Sequence, residues 1–215
     1  MLNLINECTV SDAHQMIVKR IVEYGLPLLT EDGEATLELP YPLCVHIDSP
    51  LRVPRILPTV GIGPQMMREY SQQMRTVAED TTFSYTYGNR LLDYNGIDQL
   101  QSVINRLNCT PTSRRAIMHT WMVPVDIKAE HVPCMQIVQF LRRNNKINCV
   151  AVFRSNDMLM AWGANAYALA DMLKVVADGV NCEVGYLETY SISAHIYHMR
   201  DATTLKAVLN DRLGH

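Results

Sequence analysis

The residues of this chain best suited to covalent chemistry are Cys134 and the arginines spaced around it. Cys134 follows Pro133, the pair Arg114-Arg115 lies upstream, and Arg154 lies downstream. Positive surroundings lower the pKa of a thiol and raise the fraction of thiolate, which is the form that attacks an electrophile. The pattern therefore predicts a nucleophilic cysteine in an anion-binding environment. The alternative is a buried, unreactive cysteine on a strand, the ordinary state of a lone cysteine.

Several polar motifs accompany this cysteine in a fixed order. They are Tyr85-Thr86-Tyr87-Gly88-Asn89-Arg90-Leu91, Ser113-Arg114-Arg115, Val132-Pro133-Cys134-Met135, Arg154-Ser155-Asn156-Asp157 and Ser191-Ile192-Ser193-Ala194-His195-Ile196-Tyr197. Their order resembles the thymidylate synthase family, and their details are most similar to its short archaeal type. Each motif alone is a weak signal, whereas all of them in order are a strong one.

The resemblance implies an enzyme that methylates dUMP at C5 to give dTMP. Cys134 would add as a thiolate to C6, which makes C5 nucleophilic toward a methylene group carried by a reduced pterin. The co-substrate would be 5,10-methylenetetrahydrofolate or methylene-tetrahydromethanopterin, without a metal. The resemblance also implies catalytic roles for Arg154 beside the sulfur, for Tyr87 in removing the C5 proton, and for Glu69 in organising water and protons.

The resemblance assigns the nucleotide phosphate to arginines of two subunits. Arg154 and Ser155 would bind it from the same chain, and Arg114 and Arg115 from the partner. The planar guanidinium suits phosphate oxygens better than an ammonium group does. The active unit would therefore be a homodimer with shared active sites.

The remaining site residues are also assigned by the resemblance. His195 and Tyr197 alternate along a strand and so share a face, and both would bind the 3′-hydroxyl of the sugar. Asn165 would read the uracil edge by donating to O4 and accepting from N3–H. Asp157 would bind the pterin ring.

Differences from the long-chain members of the family leave other products open. The loop Thr30-Glu31-Asp32-Gly33-Glu34 is acidic where theirs is basic, Met135 replaces a histidine, the Glu69 to Tyr87 segment is shortened and lacks tryptophans, and no closing peptide follows Gly214-His215. If water reaches the exocyclic methylene before hydride does, the product is a 5-hydroxymethyl nucleotide. The alternatives are therefore a dUMP or dCMP hydroxymethylase, and a catalytically silent nucleotide-binding homologue.

Composition narrows the class of protein. With 215 residues and 48% hydrophobic content, the chain can build one sizeable core, which predicts a single domain over residues 1–215. The net charge of -3 provides no basic field for nucleic acid. Neither a membrane span nor a signal peptide is expected. The six dispersed cysteines lack a Cys-x-x-Cys pair, which argues against zinc and disulfides and suits the cytoplasm.

The elements that must position these residues follow from hydrophobic periodicity. The pattern predicts helices from Ser11 or Asp12 to Tyr24, from Pro64 along a stripe ending at Val77, from Ile97 to Leu107, from Ala164 to Ala177, and after a cap at Asp201. It predicts strands within Thr36–Ile47 and over Ala116–Val125, Met135–Leu141, Ile147–Phe153 and Glu183–Ala194, with a hairpin turn at Asn144-Asn145. The expected fold is α/β (α+β), a mixed, largely antiparallel sheet packed by helices. The resemblance adds a sheet-to-sheet homodimer.

Overall fold

A computed structural model describes residues 3–79 and 85–211 of the chain. The helices are α1 Val10–Tyr24, α2 Pro64–Gln73, α3 Tyr87–Leu92, α4 Gln99–Cys109, α5 Val123–Asp126, α6 Trp162–Gly179 and α7 Ala202–Asn210, with a short 3₁₀ turn at Pro58–Val60. The strands are β1 Asn3–Glu7, β2 Leu26–Leu29, β3 Ala35–Glu38, β4 Leu43–Ile47, β5 Ile117–His119, β6 Met135–Arg143, β7 Lys146–Asp157 and β8 Glu183–Ile196. Gly214-His215 and residues 80–84 of the shortened segment lie outside the described ranges.

The strands form one mixed sheet in the order β1-β4-β8-β7-β6-β5, and the β2–β3 hairpin joins it through β3 and β8. Two pairs of strands, β1–β4 and β7–β8, are parallel, and the other pairs are antiparallel. This confirms the mixed, largely antiparallel sheet packed by helices.

Helices cover one face of the sheet, and the opposite face, called the open face below, has exposed side chains among the residues that the structure describes. Helix α6 packs on β7 and β8, α1 packs beside it, and α2 packs on α6. Because directly paired residues share a face, the register places exposed Ile137 and Ile117 on the face opposite buried Val138 and Met118. The open face therefore carries apolar side chains.

Local sequence signals account for most element boundaries. Asn144 and Asn145 have φ values of 49° and 60° in the turn between β6 and β7, as predicted, because asparagine tolerates the left-handed conformation. Thr9, rather than Ser11 or Asp12, caps α1 by accepting the Asp12 N–H at 3.2 Å.

Besides the cap of α1, three local predictions are wrong. The strand predicted to Val125 ends at His119, because Pro124 suits the first turn of the short helix α5. Asp201 precedes α7, but its side chain makes no capping hydrogen bond and binds Arg200 instead. Val77 lies beyond the end of α2 and is 41% exposed. None of the helices within residues 3–79 and 85–211 combines the length and apolarity needed to cross a membrane.

Candidate active site

A cavity of about 600 Å³ opens where several strands end. Its lining combines one thiol with cationic, acidic and hydroxyl groups, and consists of Thr30, Glu31, Asp32, Thr36, Glu38, Tyr85, Glu130, His131, Val132, Cys134, Arg154, Ser155, Ser193, His195 and Tyr197. Five residues predicted for the site from sequence, including the proposed nucleophile, thus line the same cavity.

The sheet register explains this convergence. Cys134 immediately precedes β6, and its carbonyl accepts the Arg154 N–H of β7 at 2.9 Å. Parallel pairing of β7 with β8 then places Ser155 opposite Ser193. Residues far apart in sequence are therefore neighbours at one edge of the sheet.

Cys134 lies against the guanidinium of Arg154. The distance from Arg154 Nη2 to Cys134 Sγ is 3.8 Å. The same side chain donates from Nε to the Pro133 carbonyl and from Nη2 to the Val132 carbonyl, each at 3.0 Å. Arg154 is thus anchored on the segment that leads into the cysteine.

The balance of forces on the Cys134 thiol differs from the sequence-based prediction. Burial raises its pKa, Arg154 opposes this by lowering it, and Asp157 adds to the increase. The net direction is upward, so the expectation that the surroundings of Cys134 lower its pKa is wrong for the single chain. Arg154 reduces the cost of forming the thiolate without cancelling the effect of burial.

Three tyrosines surround the cysteine segment. The Tyr87 hydroxyl accepts the Met135 N–H at 3.0 Å, and the rings of Tyr85 and Tyr87 meet edge to face. Burial raises the pKa of Tyr87, and neighbouring Tyr85 and Tyr70 raise it further. Tyr87 is therefore a protonated hydroxyl, bound to the backbone of the residue that follows Cys134.

His195 and Tyr197 line the same cavity as Cys134. Their rings meet edge to face with centroids 5.1 Å apart, and the Ser193 hydroxyl lies 3.4 Å from His195 Nδ1. Burial lowers the pKa of His195, although Asp157 and Glu38 oppose this. His195 is therefore neutral at neutral pH, a state in which one ring nitrogen can donate a hydrogen bond and the other can accept one.

Asp157 ends β7 and is held on both carboxylate oxygens. Oδ1 accepts the backbone N–H groups of Leu159 and Met160 at 3.1 and 3.0 Å, and Oδ2 accepts Arg200 Nη2 at 2.9 Å. An apolar cavity of about 260 Å³ lies beside this turn, between α2 and α6. It is lined by Ile62, Met66, Met67, Tyr70, Met160, Ala161 and Ala164.

Six residues predicted for the site do not line the large cavity, and two of them are Tyr87 and Asp157, described above. Glu69 is exposed on α2, where its Oε1 accepts Gln65 Nε2 at 2.9 Å. Asn165 is buried on α6, and its Oδ1 accepts the Tyr70 hydroxyl at 2.7 Å. Arg114 and Arg115 are exposed and line a separate cleft of about 240 Å³ with Arg106 and Ser113.

The structure adds residues that the sequence did not single out. Tyr85 begins one of the motifs but was assigned no role, and Glu130 and His131 immediately precede the motif that contains Cys134, so all three could have been suspected from position alone. Glu38 reaches the cavity only because β3 pairs with β8 at His195. Arg200 belongs to no motif, and nothing in the sequence connects it with Asp157. Across the described residues, no three His, Cys, Asp or Glu side chains are placed to hold a metal ion.

Several known proteins are similar in sequence to this chain over most of its length. The family model described as "Thymidylate synthase" matches residues 62–211. A protein of Methanosarcina barkeri, named "Putative thymidylate synthase", is 38% identical over 195 residues, which cover 90% of this chain and 89% of that protein. Proteins of the same name from Methanothermobacter thermautotrophicus and Methanocaldococcus jannaschii are 36% and 33% identical, and each alignment covers more than nine-tenths of both chains.

Proposed function

From the premise that this chain belongs to the thymidylate synthase family and is a one-carbon transferase, we propose that it converts dUMP to dTMP. A reduced pterin bearing a methylene group is the donor. One observation carries the proposal: the Cys134 thiol, Arg154, Ser155, His195 and Tyr197 line a single cavity. A nucleophile, an anion site and neutral hydroxyl-binding groups are the parts that a nucleoside monophosphate requires.

Cys134 acts as the nucleophile in this proposal. Its thiolate adds to C6 of the base, and the electrons of the C5–C6 double bond move toward O4, which makes C5 nucleophilic. C5 then attacks the methylene carbon of the pterin, and the C5 proton leaves with the help of Tyr87. The bond between the methylene carbon and the pterin nitrogen then breaks, and the released tetrahydropterin donates a hydride to the exocyclic methylene and is oxidised to a dihydropterin. Cys134 leaves C6 as a thiolate, which gives dTMP.

Asn165 selects uracil. Because Asn165 Oδ1 accepts the Tyr70 hydroxyl, the orientation of the amide is fixed. The Nδ2 group can donate to O4, and a second lone pair of Oδ1 can accept N3–H. Cytosine presents the opposite pattern of donors and acceptors, which would leave buried polar atoms unpaired.

Asp157 and the apolar cavity beside it bind the pterin. The free acceptor capacity of Asp157 suits N–H groups of the pterin ring, and the adjoining side chains of Met66, Met67 and Met160 suit an aromatic ring attached to it. The cavity adapts readily to ring shape because methionine side chains are flexible. Either a folate or a methanopterin donor therefore fits this proposal.

The phosphate site is completed by a second copy of the chain. Among the described residues of one chain, Arg154 is the one arginine that lines the cavity, and Glu31, Asp32 and Glu38 line it too. The open sheet face, with Ile192 52% exposed, is where a second copy packs. The partner's Arg114 and the partner's Arg115 then supply the missing positive charge.

Product analysis by mass spectrometry tests the proposed reaction. The purified protein is incubated with dUMP or dCMP and each methylene-bearing pterin, and the methyl, hydroxymethyl and unmodified nucleotides are separated. The expected product is dTMP from dUMP. A 5-hydroxymethyl product would replace the proposal with a hydroxymethylase, and turnover of neither nucleotide would leave a binding protein.

A further inference from the structure

We propose that Arg200 is a positioning residue that links Asp157 to the ring of Tyr197, and thereby couples pterin binding to nucleotide binding. The inference rests on the proposed function, in which Asp157 binds the pterin and Tyr197 binds the sugar. It adds a residue outside every motif of the sequence.

The contacts of Arg200 join three side chains. Its Nη2 donates to Asp157 Oδ2 at 2.9 Å and to Asp201 Oδ2 at 2.7 Å, while Nε donates to both Asp201 oxygens at 3.1 Å. The guanidinium carbon lies 3.9 Å from the centroid of the Tyr197 ring. One flat cation therefore contacts a carboxylate through its edge and an aromatic ring through its face.

The backbone explains how Arg200 comes to lie there. Strands β7 and β8 end side by side with Asp157 opposite His195, and the Met158 N–H donates to the His195 carbonyl at 2.8 Å. After β8 the chain turns, and the Asp201 N–H donates to the Tyr197 carbonyl at 2.9 Å. This turn folds Arg200 back over Tyr197 and toward the end of β7.

Arg200 binds the carboxylate oxygen of Asp157 that accepts no backbone hydrogen bond. The amides of Leu159 and Met160 bind Oδ1, whereas Arg200 binds Oδ2. A carboxylate oxygen can accept two hydrogen bonds, so Oδ2 keeps one lone pair for a pterin N–H. Without Arg200 the carboxylate could rotate about its side-chain bonds and lose this orientation.

Arg200 also limits the electrostatic effect of Asp157 on the nucleotide side. Asp157 raises the pKa of both His195 and Tyr197, and Arg200 lowers both. Glu38 faces His195 from β3 and also raises its pKa. Loss of Arg200 would therefore leave His195 beside two uncompensated carboxylates.

The test compares Arg200→Gln with Arg200→Lys and with Arg20→Gln. Arg20 is a matched control, because its guanidinium lies over the Tyr24 ring at 5.8 Å, on the surface of α1. Arg200→Gln should raise the KM for methylene-tetrahydrofolate about ten-fold, the scale of one charge-assisted hydrogen bond. The kcat should change less. The dUMP dissociation constant should rise several-fold, and Arg200→Lys should restore part of both losses.

A spectroscopic measurement separates positioning from general damage. Titration of the His195 imidazole by NMR should move to higher pH in Arg200→Gln and stay unchanged in Arg20→Gln. Asp201→Asn, which loosens Arg200 without removing it, should raise the pterin KM in the same direction by a smaller factor.

The outcomes distinguish this inference from the proposed function. If the wild-type protein turns over dUMP and Arg200→Gln matches Arg20→Gln in pterin KM and in the His195 titration, Arg200 has no positioning role. If the wild-type protein binds neither dUMP nor the pterin, the proposed function fails and the coupling fails with it. A shifted His195 titration would then show only that Arg200 screens Asp157.

Discussion

The interior of the sheet and the cavity at its edge each contain one cysteine that invites comparison. Cys149 lies within β7, fully buried, and burial alone raises its pKa. Cys134 lies just before β6, where burial also raises the pKa but Arg154 opposes it. The same residue type is thus inert packing in one place and a candidate nucleophile in the other.

Two histidines repeat the contrast. His14 on α1 is fully enclosed, and burial lowers its pKa to about 4 even though hydrogen bonds to the Leu159 and Met158 carbonyls act the other way. At the cavity, burial likewise lowers the pKa of His195, but Asp157 and Glu38 oppose it. Asp157 opposes the effect of burial at both histidines, and His195 differs from His14 in lining the cavity and in facing Glu38 as well.

The largest expected effect is the loss of dUMP turnover when Cys134 is replaced, which should not occur when Cys149 is replaced. Cys134→Ser should reduce turnover of dUMP by about 10⁴-fold or more, because a hydroxyl at this site is a far weaker nucleophile. Cys149→Ser should keep turnover but lower the melting temperature, because it buries a hydroxyl in the core. Steady-state rates and thermal unfolding of both variants make the comparison.

Covalent trapping provides the control for this comparison. Incubation with 5-fluoro-dUMP and methylene-tetrahydrofolate should leave a stable adduct on the peptide that contains Cys134. An adduct on the Cys149 peptide, or activity that survives Cys134→Ser, would reverse the assignment of the two cysteines.

The sequence predicts those features of the two regions that depend on neighbouring residues, but not those that depend on residues far apart in the chain. The Asn144-Asn145 turn and the motif around Cys134 are local, and both could be identified from neighbouring residues. Short strand β1 was missed because its pairing with β4 is made across a long stretch of intervening chain. The prediction of a lowered pKa for Cys134 was wrong, because the burial that raises this pKa arises only when the chain folds.

Arg200 shows the same limit at the site itself. Its partner Asp157 is 43 residues away in sequence, and the contact depends on the register of β7 against β8 and on the turn after β8. No spacing rule predicts such a pair. Cys134, Arg154, Ser155, His195 and Tyr197 could be predicted because family resemblance supplied the register that one sequence lacks.

The second effect is weaker binding of dUMP when positive charge is removed from the cavity. The proposed dimer brings the partner's Arg114 and the partner's Arg115 to the phosphate. Losing each arginine should weaken dUMP binding by about ten- to a hundred-fold. Mixing inactive Cys134→Ala with inactive Arg114→Ala/Arg115→Ala should restore activity, toward about a quarter of the wild-type sites.

Subunit exchange must be shown separately, for example by native mass spectrometry of isotope-labelled chains. Arg142→Ala/Arg143→Ala, at the exposed β6–β7 hairpin, serves as the matched control pair and should bind dUMP normally. If exchange occurs and activity does not return, Arg114 and Arg115 do not complete the site of a neighbouring chain.

The third effect tests the interior histidine. Because the folded-state pKa of His14 is about 4, below the ordinary histidine value of 6.5, the unfolded chain binds more protons between these values. Stability should therefore be complete above about pH 6.5 and fall as the pH drops toward 4, by about 3 kcal/mol in all. Urea unfolding of wild type and His14→Gln at several pH values measures this difference.

His14→Gln should flatten the dependence of unfolding free energy on pH, while His119→Gln, at an exposed position, should leave it unchanged. A slope that persists in His14→Gln would assign the acid sensitivity to other groups. The contrast between the interior histidine and His195 would then lose its thermodynamic support.

The smallest effect isolates the single charge that separates Cys134 from Cys149. Because Arg154 lowers the pKa of the Cys134 thiol, Arg154→Gln should raise that pKa further and slow alkylation by iodoacetamide at pH 8 by about three- to ten-fold. Arg154→Lys keeps the charge but not the forked contacts with the Pro133 and Val132 carbonyls, so it should recover most of the rate.

Peptide mapping gives the rate at each cysteine in one sample, with exposed Cys109 as the reference and buried Cys149 as the unreactive limit. A ratio of Cys134 to Cys109 alkylation that is the same in Arg154→Gln and wild type would mean that burial alone governs the thiol. Cys134 would then differ from Cys149 only in its access to solvent.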